Sequence, residues 1–170
     1  MRKKSFDKRI YQLKIGKITY NYRLTESEPF NAHQTTDVEF YLDGAPLSQI
    51  LGIERGLQFA GNNLSHDAPE IVLDAIAQFT GASSPSNQFG TSQVVLYRCH
   101  CGSDYCGIIS FSLLLKKNFV FWEDLSYEDD DGVTNIDNLK QSGFDAIREI
   151  AFDKKQYLAT FELYRGSRGF

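Results

Sequence analysis

Along YQLKIGKITYNYRL, Tyr11, Leu13 and Ile15 alternate with polar residues, and Ile18, Tyr20, Tyr22 and Leu24 repeat the alternation. Gly16-Lys17 stands between the two halves. A two-residue connection with glycine first predicts a β-hairpin with a type II′ turn. After a polar stretch from Thr25 to Thr36, DVEFYLDG reads as a third strand that ends at the turn pair Asp43-Gly44. In PLSQILG the spacing of Leu47, Ile50 and Leu51 predicts a short helix stopped by Gly52. The segment PEIVLDAIAQF, residues 69–79, predicts a longer one. Pro69 suits its first position, and Ile71 or Val72 with Ala75, Ile76 and Phe79 make one apolar face.

Beyond Gly81 and a breaking SSPSN segment, SQVVLYR, GIISFSLLL and NFVFWEDL are strand-like, with Lys116-Lys117-Asn118 as a hairpin connection. The tail FDKKQYLATFELYR predicts a helix from Asp153. Asp153 and Gln156 are spaced as a capping-box pair, and Tyr157, Phe161 and Tyr164 share a face. Strands come in runs and do not alternate regularly with helices. The expected fold is therefore α+β, a mainly antiparallel sheet, sandwich-like or strongly curved, with two to three short helices. The 170 residues read as one domain, 1–170, without repeats or a linker that splits them.

Composition adds an aromatic core, with 13 Phe and 9 Tyr among 42% apolar residues. No apolar run approaches the roughly 20 residues that span a bilayer, and the basic start MRKKSFDKR lacks a signal peptide's apolar stretch. The expectation is a cytoplasmic protein with reduced thiols. A net charge of −4 speaks against direct nucleic-acid binding. The acids are unevenly placed: Glu123, Asp124, Glu128, Asp129, Asp130 and Asp131 fall within nine residues that hold no basic group. Such a run is ordinarily a solvated loop after an edge strand, with Trp122 facing the core.

All three cysteines lie in CHCGSDYCG, at Cys99, Cys101 and Cys106. Cys101-Gly102 and Cys106-Gly107 suit a zinc knuckle, whose turning backbone offers N–H groups to a thiolate. The one-residue gap from Cys99 to Cys101 departs from paired zinc spacing, and a fourth ligand would have to come from His33 or His66. Thiol redox chemistry lacks the C-x-x-C spacing, and no strand-to-helix nucleophile turn is visible for a cysteine hydrolase. The favoured reading is a structural turn: small buried thiols and glycines let a tight loop close between two strands. No cofactor is expected on that reading.

The segments LDGAPLSQIL, VVLYRCHCGSDYCGIISFSL, FVFWEDLSYE and EIAFDKKQYLATF, in this order, resemble a widespread bacterial family. Its members carry V-x-x-D-G-x-x-L, C-x-C-G-x-x-x-C-G, a V-x-W strand and a terminal F-x-F-x-x-x-x-Y block. Asp43-Gly44, Leu47, Cys101-Gly102, Cys106-Gly107, Val120, Trp122 and Tyr157 match. Tyr105 replaces the usual glycine before the last cysteine, and Ile150 replaces the first aromatic of the terminal pair. Some members are labelled oxidoreductases; others are immunity proteins of contact-dependent growth inhibition.

That resemblance implies a non-enzymatic immunity protein, monomeric in a one-to-one complex with a toxin C-terminal domain, expected to be a nuclease. The placement of charge, and not the resemblance, then suggests an acidic contact surface: Glu123, Asp124, Tyr127, Glu128, Asp129, Asp130 and Asp131, with Phe121 and Trp122 as further aromatic anchors. The alternative is a structural zinc-binding or thiol-redox protein built on Cys99, Cys101 and Cys106.

Overall fold

A computed structural model describes residues 9–134 and 149–170. The fold is α+β and mainly antiparallel. The larger sheet holds β1 (Ile10–Tyr11), β5 (Val94–Tyr97), β6 (Ile108–Leu115), β7 (Phe119–Asp129), β8 (Gly132–Thr134) and β9 (Ile150–Asp153). Its order is β1-β9-β7-β6-β5, with β8 paired to β7; the β1–β9 pair is parallel and makes the sheet mixed. The smaller sheet is β2 (Leu13–Tyr22), β3 (His33–Leu42) and β4 (Ala45–Pro46). Three helices complete the described residues: α1 (Leu47–Ile50), α2 (Pro69–Thr80) and α3 (Lys154–Ser167). None is long and apolar enough to cross a membrane.

The expected hairpin at Gly16-Lys17 does not form. β2 runs through both residues, and all ten of its positions pair with β3, from Leu13↔Leu42 to Tyr22↔His33. The parity change that imitates a turn has another cause. Leu13 and Ile15 face the main core, whereas Ile18, Tyr20 and Tyr22 face a groove walled by Ile53, Arg55 and Phe59. The strand is covered first on one face and then on the other, so its apolar positions switch from odd to even. Gly16 serves close approach instead of a turn, since a Cβ there would lie 3.0 Å from the Tyr41 ring.

Other local signals hold. Asp43 and Gly44 take φ of 50° and 87° in the turn from β3 to β4, the positive pair that a tight hairpin requires. α2 starts on Pro69, ends on left-handed Gly81 and buries Val72, Ala75, Ile76 and Phe79. Asp153 caps α3 by accepting the Gln156 N–H at 2.9 Å. The Gln156 side chain does not close the box. It accepts the Leu13 N–H (3.2 Å) and donates to the Leu13 carbonyl (2.7 Å), which ties α3 to β2. The strand β9 was not visible in sequence because its Ile-Ala-Phe is too short to show a period.

Trp122, fully buried, is the hub of the core. Its ring stacks on Phe111 at 4.5 Å and meets Phe152 and Phe40 edge-on at 4.9 and 5.4 Å. Its indole N–H donates to the Tyr157 hydroxyl (3.0 Å), which in turn donates to the Phe79 carbonyl (2.7 Å). One polar chain thus joins β7, α3 and α2. Burial also raises the Tyr157 phenol far above its ordinary range.

A second buried polar group lies between the small sheet and the segment after α1. The Glu39 carboxylate accepts from Tyr97 (2.5 Å), Ser48 (2.6 Å) and Arg55 (2.9 Å). Arg55 also donates to the Phe59, Ala60 and Val38 carbonyls. Both side chains are withdrawn from water, at 0% and 3% exposure. Removing one member strands the other charge in the interior. Arg55→Leu is therefore expected to lower the urea-unfolding free energy by about 3–5 kcal/mol. A loss below about 1 kcal/mol, the ordinary worth of an exposed pair, would contradict the role given to Glu39.

Candidate functional site

The loop between β5 and β6 carries the three cysteines and is held from three sides. From the segment after α1, Leu57 accepts the His100 N–H at 2.8 Å, and Gly61 accepts the Arg98 N–H at 2.7 Å. From the loop after α2, Gln88 forms a two-way clamp on Asp104. Its backbone N–H donates to Asp104 Oδ2, and its side-chain oxygen accepts the Asp104 N–H, both at 2.8 Å. The Gln88 amide donates further to the Gly102 carbonyl (3.0 Å). Fully buried Asp104 also faces Arg98, whose Nε lies 3.0 Å from Oδ1. That contact is an ion pair without hydrogen-bond alignment, for neither atom has a hydrogen-bond partner.

This frame gathers the sulfurs. Cys101 Sγ lies 3.3 Å from Cys99 Sγ and 3.5 Å from Cys106 Sγ, and all three fall within 4.8 Å of one another. Cys99 is half-buried, Cys101 and Cys106 are exposed, and all are free thiols. The expectation of small buried thiols is therefore corrected: two of the three contribute nothing to a core. Burial, before any other cause, pushes the Cys99 thiol up to about 11. Cys101 is lowered, first by the Ser103 backbone N–H and then by its two thiol neighbours.

The two histidines expected to supply a fourth ligand do not join the sulfurs. His33 pairs with Glu28 at 3.1 Å and stacks on Tyr22. His66 accepts the Ala68 N–H and, with Cys99 and His100, lines a cavity of about 310 Å³. His100 comes nearest, with Nδ1 3.5 Å from Cys99 Sγ, but the same nitrogen lies 3.2 Å from the Leu57 carbonyl.

No protein-family model, no curated protein and no solved structure matches the chain.

The acidic residues do not form a loop after an edge strand. β7 is an interior strand, paired with β6 on one side and with β8 and β9 on the other. Phe121 and Trp122, anchors on the contact-surface reading, are buried in the core, as the solvated-loop reading expected of Trp122. Glu123 and Asp124 sit at a β-bulge, where two residues of β7 oppose Phe111 and Asp124 takes a φ of 52°. Glu128 and Asp129 lie half-buried at the far end of β7, and Asp130 and Asp131 form its exposed turn into β8. Leu125, Ser126 and Tyr127 separate the two groups of acids, with about 13 Å of strand from Asp124 to Glu128.

The hairpin end meets the cysteine loop. The Asp130 N–H donates to the Tyr105 carbonyl (3.2 Å), and Tyr127 covers Gly107. Tyr105 is 49% exposed, yet its hydroxyl donates to the Gln88 carbonyl and Phe89 packs edge-on against it at 5.0 Å. Sequence reasoning missed Tyr105 as a surface residue. The available signal was an aromatic residue beside the third cysteine in an otherwise small and polar turn, CGSDYCG.

The two glycines of the motif differ. Gly102 has a φ of 78° with open space around it, whereas a Cβ on Gly107, at φ 120°, would clash with the Tyr127 hydroxyl. Gly102→Ala is expected to cost about 1–2 kcal/mol from the left-handed backbone alone. Gly107→Ala should cost more, because Tyr127 must also move; thermal unfolding of the two variants ranks them. In the reduced protein near neutral pH, iodoacetamide should alkylate Cys101 well before Cys99, as the thiolate is the nucleophile. Peptide mass spectrometry over a time course reads the order, and faster labelling of Cys99 would refute it.

Proposed function

We propose that this chain is a non-enzymatic immunity protein that acts in the cytoplasm. On this reading it neutralises a toxin domain by covering that domain's basic site with the surface around Tyr105, Tyr127 and the β7–β8 turn. The observation that carries the reading is uncompensated charge. Among the described residues, none of the six carboxylates from Glu123 to Asp131 pairs with a lysine or arginine. A nuclease holds phosphates with Lys and Arg and is matched by a surface of one negative sign.

Two further features support it. Tyr105 is exposed but anchored through its hydroxyl and by Phe89, which is the description of a preorganised aromatic anchor. Asp130 and Asp131 lie in a two-residue turn closed by the Asp129↔Gly132 pair, at the end of a strand paired on both sides, so little backbone freedom is lost on docking. The resemblance to immunity proteins points the same way, and the partner is then the C-terminal domain of a secreted toxin encoded immediately upstream.

The triple variant Asp129→Lys, Asp130→Lys, Asp131→Lys should bind that domain at least about tenfold more weakly, mainly through slower association, and with reduced salt dependence. Tyr105→Ala should instead speed dissociation about 30-fold, the scale of a central anchor. Surface plasmon resonance over a salt series separates the two effects. Unchanged rates in the lysine variant, with circular dichroism intact, would remove the acidic turn from the mechanism.

A further inference from the structure

We infer that Cys99, Cys101 and Cys106 together hold a thiophilic divalent cation, Zn²⁺, on the surface of the loop between β5 and β6. The first ground is spacing. Thiolates bound tetrahedrally at about 2.3 Å from zinc stand about 3.8 Å apart. Here two of the sulfur pairs are at 3.3 and 3.5 Å, and the third is within 4.8 Å. The loop brings the ligands to nearly the separations that the ion requires.

The second ground is that the cluster has no structural reason without an ion. Thiols in a core act as small apolar groups, but Cys101 and Cys106 are exposed. Thiol contacts with one another are weak hydrogen bonds, and solvent-facing positions could carry serine equally well. The loop is nevertheless strongly built. It takes left-handed backbone at Gly102 and positive φ at Gly107, it buries Asp104 against Arg98, and Gln88 clamps it at three points.

Soft sulfur donors select zinc and copper(I) over magnesium or calcium. Three protein thiolates leave a fourth tetrahedral position. With Cys101 and Cys106 at the surface, that position lies towards solvent, where water or a donor from a bound partner fills it. Binding deprotonates the thiols and releases protons, so uptake strengthens as pH rises. The ion would fix Cys106 beside Tyr105 and under Tyr127, and so stiffen the face described above.

The test uses the full chain, reduced and stripped of metal, titrated with Co²⁺ and then with Zn²⁺. Expected are one Co²⁺ per chain, thiolate-to-cobalt charge-transfer absorption, tetrahedral visible bands, and displacement of the spectrum by one equivalent of Zn²⁺. Cys101→Ser and Cys106→Ser change exposed positions and should fold normally by circular dichroism. Each should weaken Zn²⁺ binding roughly a hundredfold in a chelator competition, one ligand's share of a thiolate-held zinc. Absence of cobalt uptake by the reduced chain overturns the assignment. So does uptake that survives both serine substitutions, or metal-free protein in which these thiols remain paired as a disulfide. The toxin-binding measurements are independent of this one, so either reading can fail alone.

Discussion

The Glu39–Arg55 pair is the constraint on which the arrangement of the site depends. Neither charge reaches water, and a buried pair is tolerated only when its remaining hydrogen-bonding capacity is met. Glu39 is satisfied by Ser48, Tyr97 and Arg55, and Arg55 by the carbonyls of Val38, Phe59 and Ala60. Arg55 also lies over the rings of Tyr20 and Tyr97. Residues 53–61 contain no helix or strand that would position them otherwise. The pair pins this segment across the sheet, and Leu57 and Gly61 then receive the backbone of His100 and Arg98. The cysteine loop therefore rests on a segment whose own position is set by a buried charge.

From there the rigidity spreads by short steps. Gln88 and Asp104 exchange hydrogen bonds that join the loop after α2 to the cysteine turn. Asp104 balances Arg98, and Tyr105 links the same turn to the acidic hairpin through Asp130. The Gln88–Asp104 exchange satisfies a donor and an acceptor on each side, the Asp130–Tyr105 link is backbone to backbone, and Arg98 Nε and Asp104 Oδ1 hold each other by opposite charge alone. The two exposed thiols and the exposed tyrosine are therefore surface groups on a frame with little freedom, the condition under which a ligand or partner binds without a large ordering cost.

The thiol trio and the acidic turn are neighbours, and their electrostatics are of one sign. A metal-loaded trithiolate carries net negative charge, as do Asp129, Asp130 and Asp131, so an ion in the loop leaves the face acidic. A basic partner gains from both groups, and the Tyr127 phenol between them is raised by its burial first and by the Asp129 carboxylate next. The metal reading and the partner reading are thus compatible, because the first concerns what holds the face and the second what covers it.

Elements governed by local chemistry were legible in the sequence: α2 from Pro69 and Gly81, the turn at Asp43-Gly44, the Asp153 cap, the strands of the central meander and the α+β class. Each depends on residues within a few positions, where backbone sterics and hydrogen-bond reach act without tertiary help. The fold alone decided the rest. The Ile15-to-Ile18 parity change resembles a hairpin until a distant segment covers the second face of β2. Trp122 and Phe121 resemble anchors of an acidic surface until β9 and β6 flank their strand and bury them. The cysteine motif shows three sulfurs in sequence, but their convergence rests on Gln88 and Leu57, 11 and 42 residues before Cys99. Spacing along the chain reports which side chains are available, whereas distance between sulfurs and exposure of a ring are set by long-range contacts that no local pattern encodes.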